Sequence, residues 1–500
     1  MLDAGNARRR QAAIDFLLGR INYERVAALP YGDRHLKLDR MRTLLHRLGD
    51  PDAGIPIVHI AGTKGKGSTS ALIAAVLQAA GYDVGVYSSP HLESIEERFC
   101  INGEPIAAGE LADLVDRLRP IVQGIDAAAA AANDPHGQPT FFELTTALAL
   151  MYFAQRQVDV IVLEVGLGGR LDSTNVCQPI VTVITSISLD HTRQLGDTTA
   201  KIASEKGGII KPGVPLVLGP VDADAHAVLT DMARRHGARV IEAPRDFAFD
   251  YRPPHEVDAH SAAGELDFTS HAPDQPLELT GAPLRMLGRH QAANAALALA
   301  AAVELRRQGW LISTTAMQAG LAACTLPGRI EVVGREPTVV IDVSHNVASV
   351  SALVACLRES FSAQERILVF AASRDKDVAG MLHELLPHFD RVILTEYQEN
   401  PRATPVAQLE QLCRDQWRRL GGDVVEEPPS ADSDLIPSEN PRTADPSRRC
   451  LRLAARRLPG EAWQLARQWA EGQRLICVTG SFFIAAELRP LAMAATCAAV

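Results

Sequence analysis

The stretch from Ile57 to Thr69, Ile-Val-His-Ile-Ala-Gly-Thr-Lys-Gly-Lys-Gly-Ser-Thr, constrains the fold more than any other part of this chain. An apolar, strand-like run breaks into closely spaced glycines around Lys66, and a helix-like run follows. In such a unit the glycines let backbone N–H groups approach phosphate oxygens, while the helix N-terminus and the lysine add positive charge. The sequence therefore predicts a phosphate-binding loop, with a chance glycine-rich turn as the alternative. Because Gly67 separates the lysine from Ser68, the spacing departs from the common G-x-x-x-x-G-K-[ST] pattern.

Composition limits the classes of protein that the chain can belong to. Its 500 residues exceed what one hydrophobic core usually supports, so two or three domains are expected. The net charge of −10 and the lack of a dense Lys/Arg block argue against a nucleic-acid partner. The eight cysteines are scattered without a C-x-x-C pair, which favours reduced thiols in a cytoplasmic protein. No signal peptide is expected at the polar N-terminus, and no apolar run reaches the length of a membrane span.

Alternation of strand-like and helix-like runs predicts an α/β protein. We expect an N-terminal P-loop-type ATPase domain with a doubly wound, mostly parallel sheet, followed by a smaller C-terminal Rossmann-like α/β domain. The predicted boundaries are 1–312 for the ATP-binding domain, 313–330 for an inter-domain hinge and 331–500 for the C-terminal domain. Ligands of such sheets bind beyond the carboxyl ends of the strands.

Three segments interrupt this pattern. Residues 124–139 are rich in alanine and then in Asn, Asp, Pro and Gly, which indicates a solvated insertion. Residues 245–282 mix Pro, His and Asp with short strand-like pieces. Residues 425–448 are rich in Pro, Ser and acids, so we predict a mobile insertion there.

Polar side chains follow several of the predicted strands. Glu164 ends an apolar run, where an ionised carboxylate is costly unless it is paired or bound to a metal. Ser89 and His191 also follow strand-like runs, so the three can converge at one edge of the sheet. Two oxygens and an imidazole nitrogen suit a Mg²⁺ ion that keeps other ligands from water and nucleotide. A structural acid bonded to the glycine-rich turn behind it remains the alternative for Glu164, and a structural role remains one for His191.

Taken together, the motifs resemble those of the folylpolyglutamate synthase and dihydrofolate synthase family, within the Mur-ligase-like enzymes. The similar segments, in the family's order, are Gly62–Ser68, Ser88–His91, Thr140–Glu143, Glu164–Asp172, Asp190–Thr192, Glu205–Lys206, His290–Asn294, Pro327–Arg329, Asp342–Asn346, Asp375–Asp377 and Thr479–Ser481. The resemblance covers about Ile14 to Glu487 apart from the two polar insertions. One such match would be weak, but many in the same order make the resemblance specific.

The resemblance implies sites for ATP and Mg²⁺. The implied nucleotide contacts are Gly65, Lys66, Gly67, Ser68, Asn294, Arg329 and Asp342. It assigns the metal to Ser89, Glu164 and His191, and catalytic roles to Lys66, Lys206 and His191. In the family the lysine matching Lys206 is often carbamylated and helps to hold a second Mg²⁺, and we expect the same here. From the residues alone, Lys206 could equally be a surface lysine, Arg329 a hinge-stiffening partner and Asn294 a helix-surface amide.

The resemblance also implies where the other substrates bind. Its pterin-side contacts are Thr140, Phe141, Phe142, Glu143, Leu171, Asp172 and Ser173. A core position is the alternative for Phe142. His345 and Ser481 match positions near the incoming glutamate. The usual family string Asp-Gly-Ala-His-Asn-Pro reads Asp342-Val-Ser-His-Asn-Val347 here, so the glycine and the proline are lost.

The implied activity is an ATP-dependent amide ligase. It would add L-glutamate to dihydropteroate, to reduced folates or to both through an acyl phosphate, as a cytoplasmic monomer whose partners are these small molecules. Three alternatives remain: a Mur-type ligase acting on another carboxylate, a phosphotransferase, and a non-catalytic nucleotide- or folate-binding homologue.

Overall fold

The protein is described by a computed structural model that covers residues 4–22, 38–134, 136–260, 262–426, 450–470 and 474–497. It forms two compact units. The first comprises Met1–Tyr251, Glu265–Arg285 and His290–Thr325, and the second comprises Arg252–Gly264, Met286–Arg289 and Leu326–Val500. No helix among the described residues combines the length and the apolarity that crossing a membrane would require.

An eight-stranded sheet organises the first unit, in the order β4-β3-β2-β5-β1-β6-β7-β8. Its strands are β1 Ile57–Ala61, β2 Val84–Tyr87, β3 Phe99–Ile101, β4 Glu104–Pro105, β5 Val160–Glu164, β6 Val181–Ile184, β7 Leu216–Leu218 and β8 Val240–Glu242. The six strands from β2 to β8 in this order run parallel, and β3 and β4 add an antiparallel edge. Because every residue of β1 and β5 is buried, these two strands are uniformly apolar except at His59 and Glu164. The predicted doubly wound sheet is confirmed.

Helices cover this sheet. They are α1 Ala4–Leu18, α2 Leu38–Arg47, α3 Lys66–Ala79, α4 Ala108–Ala131, α5 Phe141–Arg156, α6 Thr192–Leu195, α7 Thr199–Gly207, α8 Ala223–Arg235, α9 Arg289–Arg307 and α10 Thr314–Ala323. The solvated insertion predicted at 124–139 is wrong in its first half, because residues 124–131 are the end of α4. Its buried Ile125 and Ala129 lie one helical turn apart and pack inward.

A three-stranded sheet in the order β11-β10-β9 accounts for the change of character after residue 245. Its strands are β9 Phe247–Arg252, β10 Gly264–Ser270 and β11 Leu277–Leu284. The chain passes from one unit to the other five times, after residues 251, 264, 285, 289 and 325. Only the last passage falls within the predicted hinge at 313–330, whose first part is α10, packed against α3. The hinge therefore stays a prediction, and four further connections exist that the sequence did not reveal.

The second unit is built on a seven-stranded sheet, ordered β12-β13-β18-β14-β15-β17-β16. Its strands are β12 Glu331–Arg335, β13 Thr338–Ile341, β14 Glu365–Phe370, β15 Arg391–Leu394, β16 Asp423–Glu426, β17 Cys450–Ala455 and β18 Arg474–Thr479. Only β12 is antiparallel to its neighbour. The helices are α11 Val347–Ser360, α12 Val378–Leu385, α13 Val406–Arg419, α14 Pro459–Trp469 and α15 Phe482–Cys497. Nearly all of the insertion predicted at 425–448 lies outside the described residues.

Candidate active site

The glycine loop lies where β1 ends and α3 begins. Gly65 precedes the first residue of α3 with a φ of 82°, a left-handed conformation that glycine adopts without strain. A side chain here would also collide with Asn294, since a Cβ atom on Gly65 would lie 2.3 Å from its Oδ1. Lys66, Gly67 and Ser68 form the first turn of α3, where backbone N–H groups have no partner within the helix. The predicted strand–loop–helix is confirmed, and it brings Asn294 of α9 against the loop.

Two lysines meet at one carbonyl of this loop. The Nζ atoms of Lys66 and Lys206 donate to the Gly62 oxygen at 3.2 Å and 2.8 Å. Lys206 is 4% exposed, so it is not the surface lysine that was the alternative. Burial, reinforced by the positive charge of Lys66, lowers the pKa of Lys206 to about 7. A substantial neutral fraction is therefore present at physiological pH.

Close backbone packing holds Lys206 in this position. Its helix, α7, lies against the glycine-rich segment after β5, because a Cβ on Gly169 would come within 2.8 Å of the Lys206 carbonyl oxygen. The Arg170 N–H donates to the Glu205 carbonyl at 2.7 Å, and the Asn175 side chain donates to that of Gly208 at 3.0 Å. The glycines between Glu164 and Asp172 thus have a packing function that connects two of the predicted motifs.

The end of β6 supports the other side of the loop. Thr185 and Ser186 donate through their hydroxyls to the Lys64 carbonyl at 2.6 Å and 3.1 Å, and the Thr63 N–H donates to the Ser186 carbonyl at 2.7 Å. Sequence reasoning missed these two hydroxyls. The only available signal was the Thr-Ser pair that closes a predicted strand.

Adjacent parallel strands place the proposed metal ligands along the same edge as the loop. In the order β2-β5-β1-β6, Ser89 follows β2, Glu164 ends β5 and His191 follows β6. The Ser89 N–H donates to Glu164 Oε2 at 3.4 Å, and the Glu164 carboxylate is buried. His191 precedes α6 with a half-exposed ring, 4.0 Å from Asp190. Among the residues that the structure describes, no three His, Cys, Asp or Glu side chains cluster into a metal site. A metal here would depend on a hydroxyl and on ligands from substrate or water.

The side chains of Thr140 and Glu143 stabilise the start of α5. Thr140 caps the helix in a capping box with Glu143, and the Glu143 carboxylate accepts from buried Arg40 at 2.8 Å. Phe141 is fully buried, with the Arg98 guanidinium 5.2 Å from its ring. Of the four pterin-side residues predicted here, Phe142 alone keeps a partly exposed side chain.

The second predicted pterin-side segment lies next to the first. Ser173 Oγ is 2.7 Å from Thr146 Oγ1 of α5, and a Cβ on Gly166 would touch both the Phe142 ring and Asp172. The buried Asp172 carboxylate accepts from the Gly166 and Leu167 N–H groups at 3.0 Å each. Leu171 is partly exposed beside it. The structure therefore joins the Thr140–Glu143 and Leu171–Ser173 segments at one place.

In the second unit, Asp342 positions Arg329. The buried Asp342 carboxylate accepts from the N–H groups of Ile330 at 3.0 Å and Ser344 at 2.9 Å. The Arg329 guanidinium lies 5.4 Å from the centre of the Phe482 ring. The two predicted nucleotide contacts of this unit are thus brought together through the backbone.

The altered turn after Asp342 is well formed. Asn346 caps α11 in a capping box with Ser349, and Val347, in place of the family's proline, is the first helical residue. The Nδ1–H of His345 donates to the Val343 carbonyl, 3.0 Å away. The Gly480 N–H donates to the Ser344 carbonyl at 3.0 Å, which places Ser481 beside the turn. The two positions predicted near glutamate therefore lie at one edge of the second sheet.

Comparison with known proteins identifies both units. The Mur ligase middle domain matches residues 60–302, and the Mur ligase glutamate ligase domain matches residues 328–482. A dihydrofolate synthase/folylpolyglutamate synthase of Bacillus subtilis is 36% identical over 392 residues, 78% of this chain and 88% of the relative. The solved folylpolyglutamate synthase of Mycobacterium tuberculosis complexed with ADP has a TM-score of 0.80 at 30% identity, covering 97% of this chain and 99% of that one. E. coli FolC in complex with DHPP and ADP has a TM-score of 0.73 at 27% identity, covering 97% and 98%.

Proposed function

The chain belongs to the folylpolyglutamate synthase/dihydrofolate synthase family of Mur ligases, and we propose that it joins L-glutamate to dihydropteroate, to a reduced folate or to both. It is an ATP-dependent acid–amino-acid ligase of folate metabolism. The observation that supports this most strongly is the pair of lysines on the Gly62 carbonyl, within a glycine loop that Asn294 closes.

The first unit would bind the nucleotide phosphates. N–H groups in the first turn of α3 point toward the loop, and Lys66 holds its charge beside them. A preformed cradle of this kind offsets the charge on a transferring phosphoryl group without reorganising during the reaction. The Asn294 side chain lies against Gly65, and we propose that it also contacts the nucleotide.

The donor set at the end of β5 fits Mg²⁺. Glu164 and Ser89 offer hard oxygen donors next to one another, and His191 follows the nearby β6. When bound, Mg²⁺ would neutralise charge on the nucleotide oxygens. The chain's own contribution is to hold a buried carboxylate at the sheet edge beside the Ser89 backbone.

We further propose that Lys206 is carbamylated. A neutral amine is needed to react with CO₂, and a pKa near 7 supplies it. The nitrogen would attack the carbon of CO₂ and lose a proton, which converts the lysine into an anion next to Lys66. Protein prepared with ¹³C-bicarbonate should show a carbamate carbon resonance that is absent in Lys206→Met. Equal spectra for the two proteins would reject the modification.

The acceptor acid would lie by Phe142 and Leu171, the two pterin-side residues that keep exposed surface. Asp172 and Thr140 shape this place through backbone hydrogen bonds. In the second unit, His345 and Ser481 would lie near the amino acid. A non-catalytic role is disfavoured by the intact turn, because Asp342 and Asn346 keep their backbone partners despite the lost glycine and proline.

The chemistry we propose is phosphorylation of the acceptor carboxylate, followed by attack of the glutamate amine and release of phosphate. Pure protein should release ADP from Mg-ATP only when L-glutamate and either dihydropteroate or tetrahydrofolate are present. Running the two acceptors side by side tells which activity the protein has. Failure with both acceptors would overturn the assignment, and activity with a nucleotide-linked peptide would favour the Mur-type alternative.

We also propose that the protein works as a monomer in the cytoplasm. The seven cysteines whose side chains the structure describes are free thiols, and burial raises the pKa of six of them, including Cys177, well above the usual value. Such thiols are poorly reactive, which suits a reducing compartment but does not require one. Light scattering across a range of concentrations tests the monomer.

A further inference from the structure

Arg402, for which neither sequence nor comparison gives a role, lies beside a cluster of hydroxyl side chains at the carboxyl edge of the second sheet. Ser373 follows β14, Tyr397 follows β15 and Ser481 follows β18, and these three strands are neighbours. Tyr397 OH is 2.6 Å from Ser373 Oγ, and the Phe483 N–H donates to Ser481 Oγ at 3.2 Å. Tyr397 is buried, and its burial raises the pKa of the phenol, so the hydroxyl keeps its proton. The hydroxyl groups of the cluster are therefore ordered and uncharged, and Arg402 brings a positive charge beside them.

The Arg402 guanidinium is held in place, and within the part of the chain that the structure describes it forms no hydrogen bond. It lies 5.7 Å from the centre of the Phe483 ring, a cation–π distance. The nearest carboxylate, Asp375, is 3.9 Å from Nη1, beyond hydrogen-bond reach. The Nε atom is buried, and it has no hydrogen-bond partner among the described residues. A buried donor left in this way carries a desolvation cost. The side chain as a whole is 29% exposed, so the rest of the guanidinium can be reached by a bound acceptor.

The ligand chemistry follows from the arginine. A guanidinium presents its donors in a plane that matches both oxygens of a carboxylate. Arg329 lies over the neighbouring Phe482 ring, so the first turn of α15 carries one arginine on each of two successive phenylalanines. Arg329 and Asp342 are both proposed nucleotide contacts. Arg402 is not one of them, so we assign it to a different anion.

Position in the sheet indicates which carboxylate this is. Asp342 follows β13, whereas the backbone of Arg402 pairs with residues that follow β14, because the Arg374 N–H donates to the Arg402 carbonyl at 2.9 Å and Ser373 bridges Ala403. In the sheet order, β14 lies two places from β13, or about 10 Å at ordinary strand spacing. The amine and the α-carboxylate of an amino acid share one carbon, whereas the side-chain carboxylate of glutamate lies two methylene groups farther away. A carboxylate bound farther along the edge, past Ser481, is the one at the end of the side chain.

We propose that Arg402 binds the side-chain carboxylate of the incoming L-glutamate, stacked on Phe483 beside Ser481, and so selects glutamate over glutamine. The proposal rests on the glutamate ligase function given above. The same chemistry could come from a glutamyl tail on the acceptor, and the experiment separates the two sources.

The test uses the full chain with Arg402→Met, Arg402→Lys and the control Arg457→Met. Arg457 follows β17, carries the same charge as Arg402, and has a side chain that is 78% exposed. Its replacement removes one positive charge from this unit without altering the cluster. Initial rates give KM for L-glutamate, L-glutamine, ATP and acceptor. Arg402→Met should raise KM for L-glutamate about 10- to 100-fold, the loss expected for a charged hydrogen bond, and leave KM for ATP within about twofold. Arg402→Lys should recover part of this, and Arg457→Met should match the wild type.

Every other outcome counts against the proposal. An unchanged KM for L-glutamate overturns it, and so do equal losses for glutamate and glutamine, which would indicate the α-carboxylate. A raised KM for a glutamylated acceptor with normal KM for L-glutamate would assign Arg402 to the tail. The melting temperature shows whether Arg402→Met is folded. If it is not, the rates of Arg402→Lys with glutamate and with glutamine are compared with those of the wild type, and an unchanged ratio of the two rates overturns the proposal. A wild type without glutamate-dependent ADP release would overturn the ligase function itself, whereas an active wild type with an indifferent Arg402 overturns this proposal alone.

Discussion

The two sheet edges hold their cations in different ways. In the first unit, Lys66 and Lys206 both donate to the Gly62 carbonyl, and Lys206 is almost fully buried. In the second unit, Arg329 and Arg402 lie on the faces of phenylalanine rings. A lysine bonded to a backbone carbonyl fixes the shape of a loop before any ligand arrives. Arg402 is fixed on its ring, and its Nε has no hydrogen-bond partner among the described residues, so we expect the second edge to serve recognition and the first to serve as a preformed phosphate site.

The largest expected effect is at Lys66. Lys66→Met removes the cation that we propose faces the phosphates, and kcat should fall about 10³-fold, as when a transition-state charge loses its partner. Lys64→Met is the matched control, because it removes the same charge from the same loop while its backbone bonds to Thr185 and Ser186 remain. Steady-state rates check both variants. Equal losses of kcat in the two variants would mean that only the overall positive charge of the loop matters. The first edge would then not be a preformed site with a specific lysine.

The buried ion pair under α5 tests how far the first unit is preformed. Glu143→Gln leaves Arg40 charged and buried without its counter-ion, and this should cost about 3–5 kcal/mol of unfolding free energy. The control Glu110→Gln breaks a partly exposed pair with Arg156 at 3.4 Å and should cost less than about 1 kcal/mol. Urea denaturation measures both. A Glu143→Gln protein of normal stability but raised acceptor KM would instead return Glu143 to the substrate contacts.

The pH dependence of stability tests whether Lys206 is held neutral at the first sheet edge. Its pKa is about 7 in the folded protein and near 10.5 when unfolded, so the unfolded state binds more protons between these values. Stability should therefore rise with pH above 7, with this lysine contributing a slope that approaches about 1.4 kcal/mol per pH unit. In CO₂-free buffer from pH 7 to 8.5, Lys206→Met should lack that contribution, and both proteins share every other titrating group. Parallel slopes would show that Lys206 is not held neutral.

Local patterns predicted the fold and most of the site's components. Strand, glycine loop and helix follow from residues 57–77 because glycine at 65 and an apolar strand leave few other structures possible. The same reasoning placed Ser89, Glu164 and the loop at one edge, because parallel neighbours end together. The ligand roles of these residues remain predictions.

The sequence does not reveal which residues far apart in the chain contact one another. Nothing near Glu143 reveals that its partner is Arg40, and nothing near Lys64 reveals the hydroxyls of Thr185 and Ser186. The alanine-rich segment at 124–131 resembles an insertion in sequence because alanine marks neither face of a helix strongly. The extra connections between units after 251, 264, 285 and 289 depend on which surface each segment packs against, and composition does not encode this.

The most direct test of the central chemistry follows an oxygen atom. An acceptor whose reacting carboxylate is labelled with ¹⁸O is incubated with Mg-ATP, L-glutamate and the protein, and the released phosphate is analysed by mass spectrometry. If the carboxylate attacks the γ-phosphorus and the amine later displaces phosphate, each phosphate carries one labelled oxygen from the acceptor. Amide product accompanied by unlabelled phosphate would contradict an acyl-phosphate ligase.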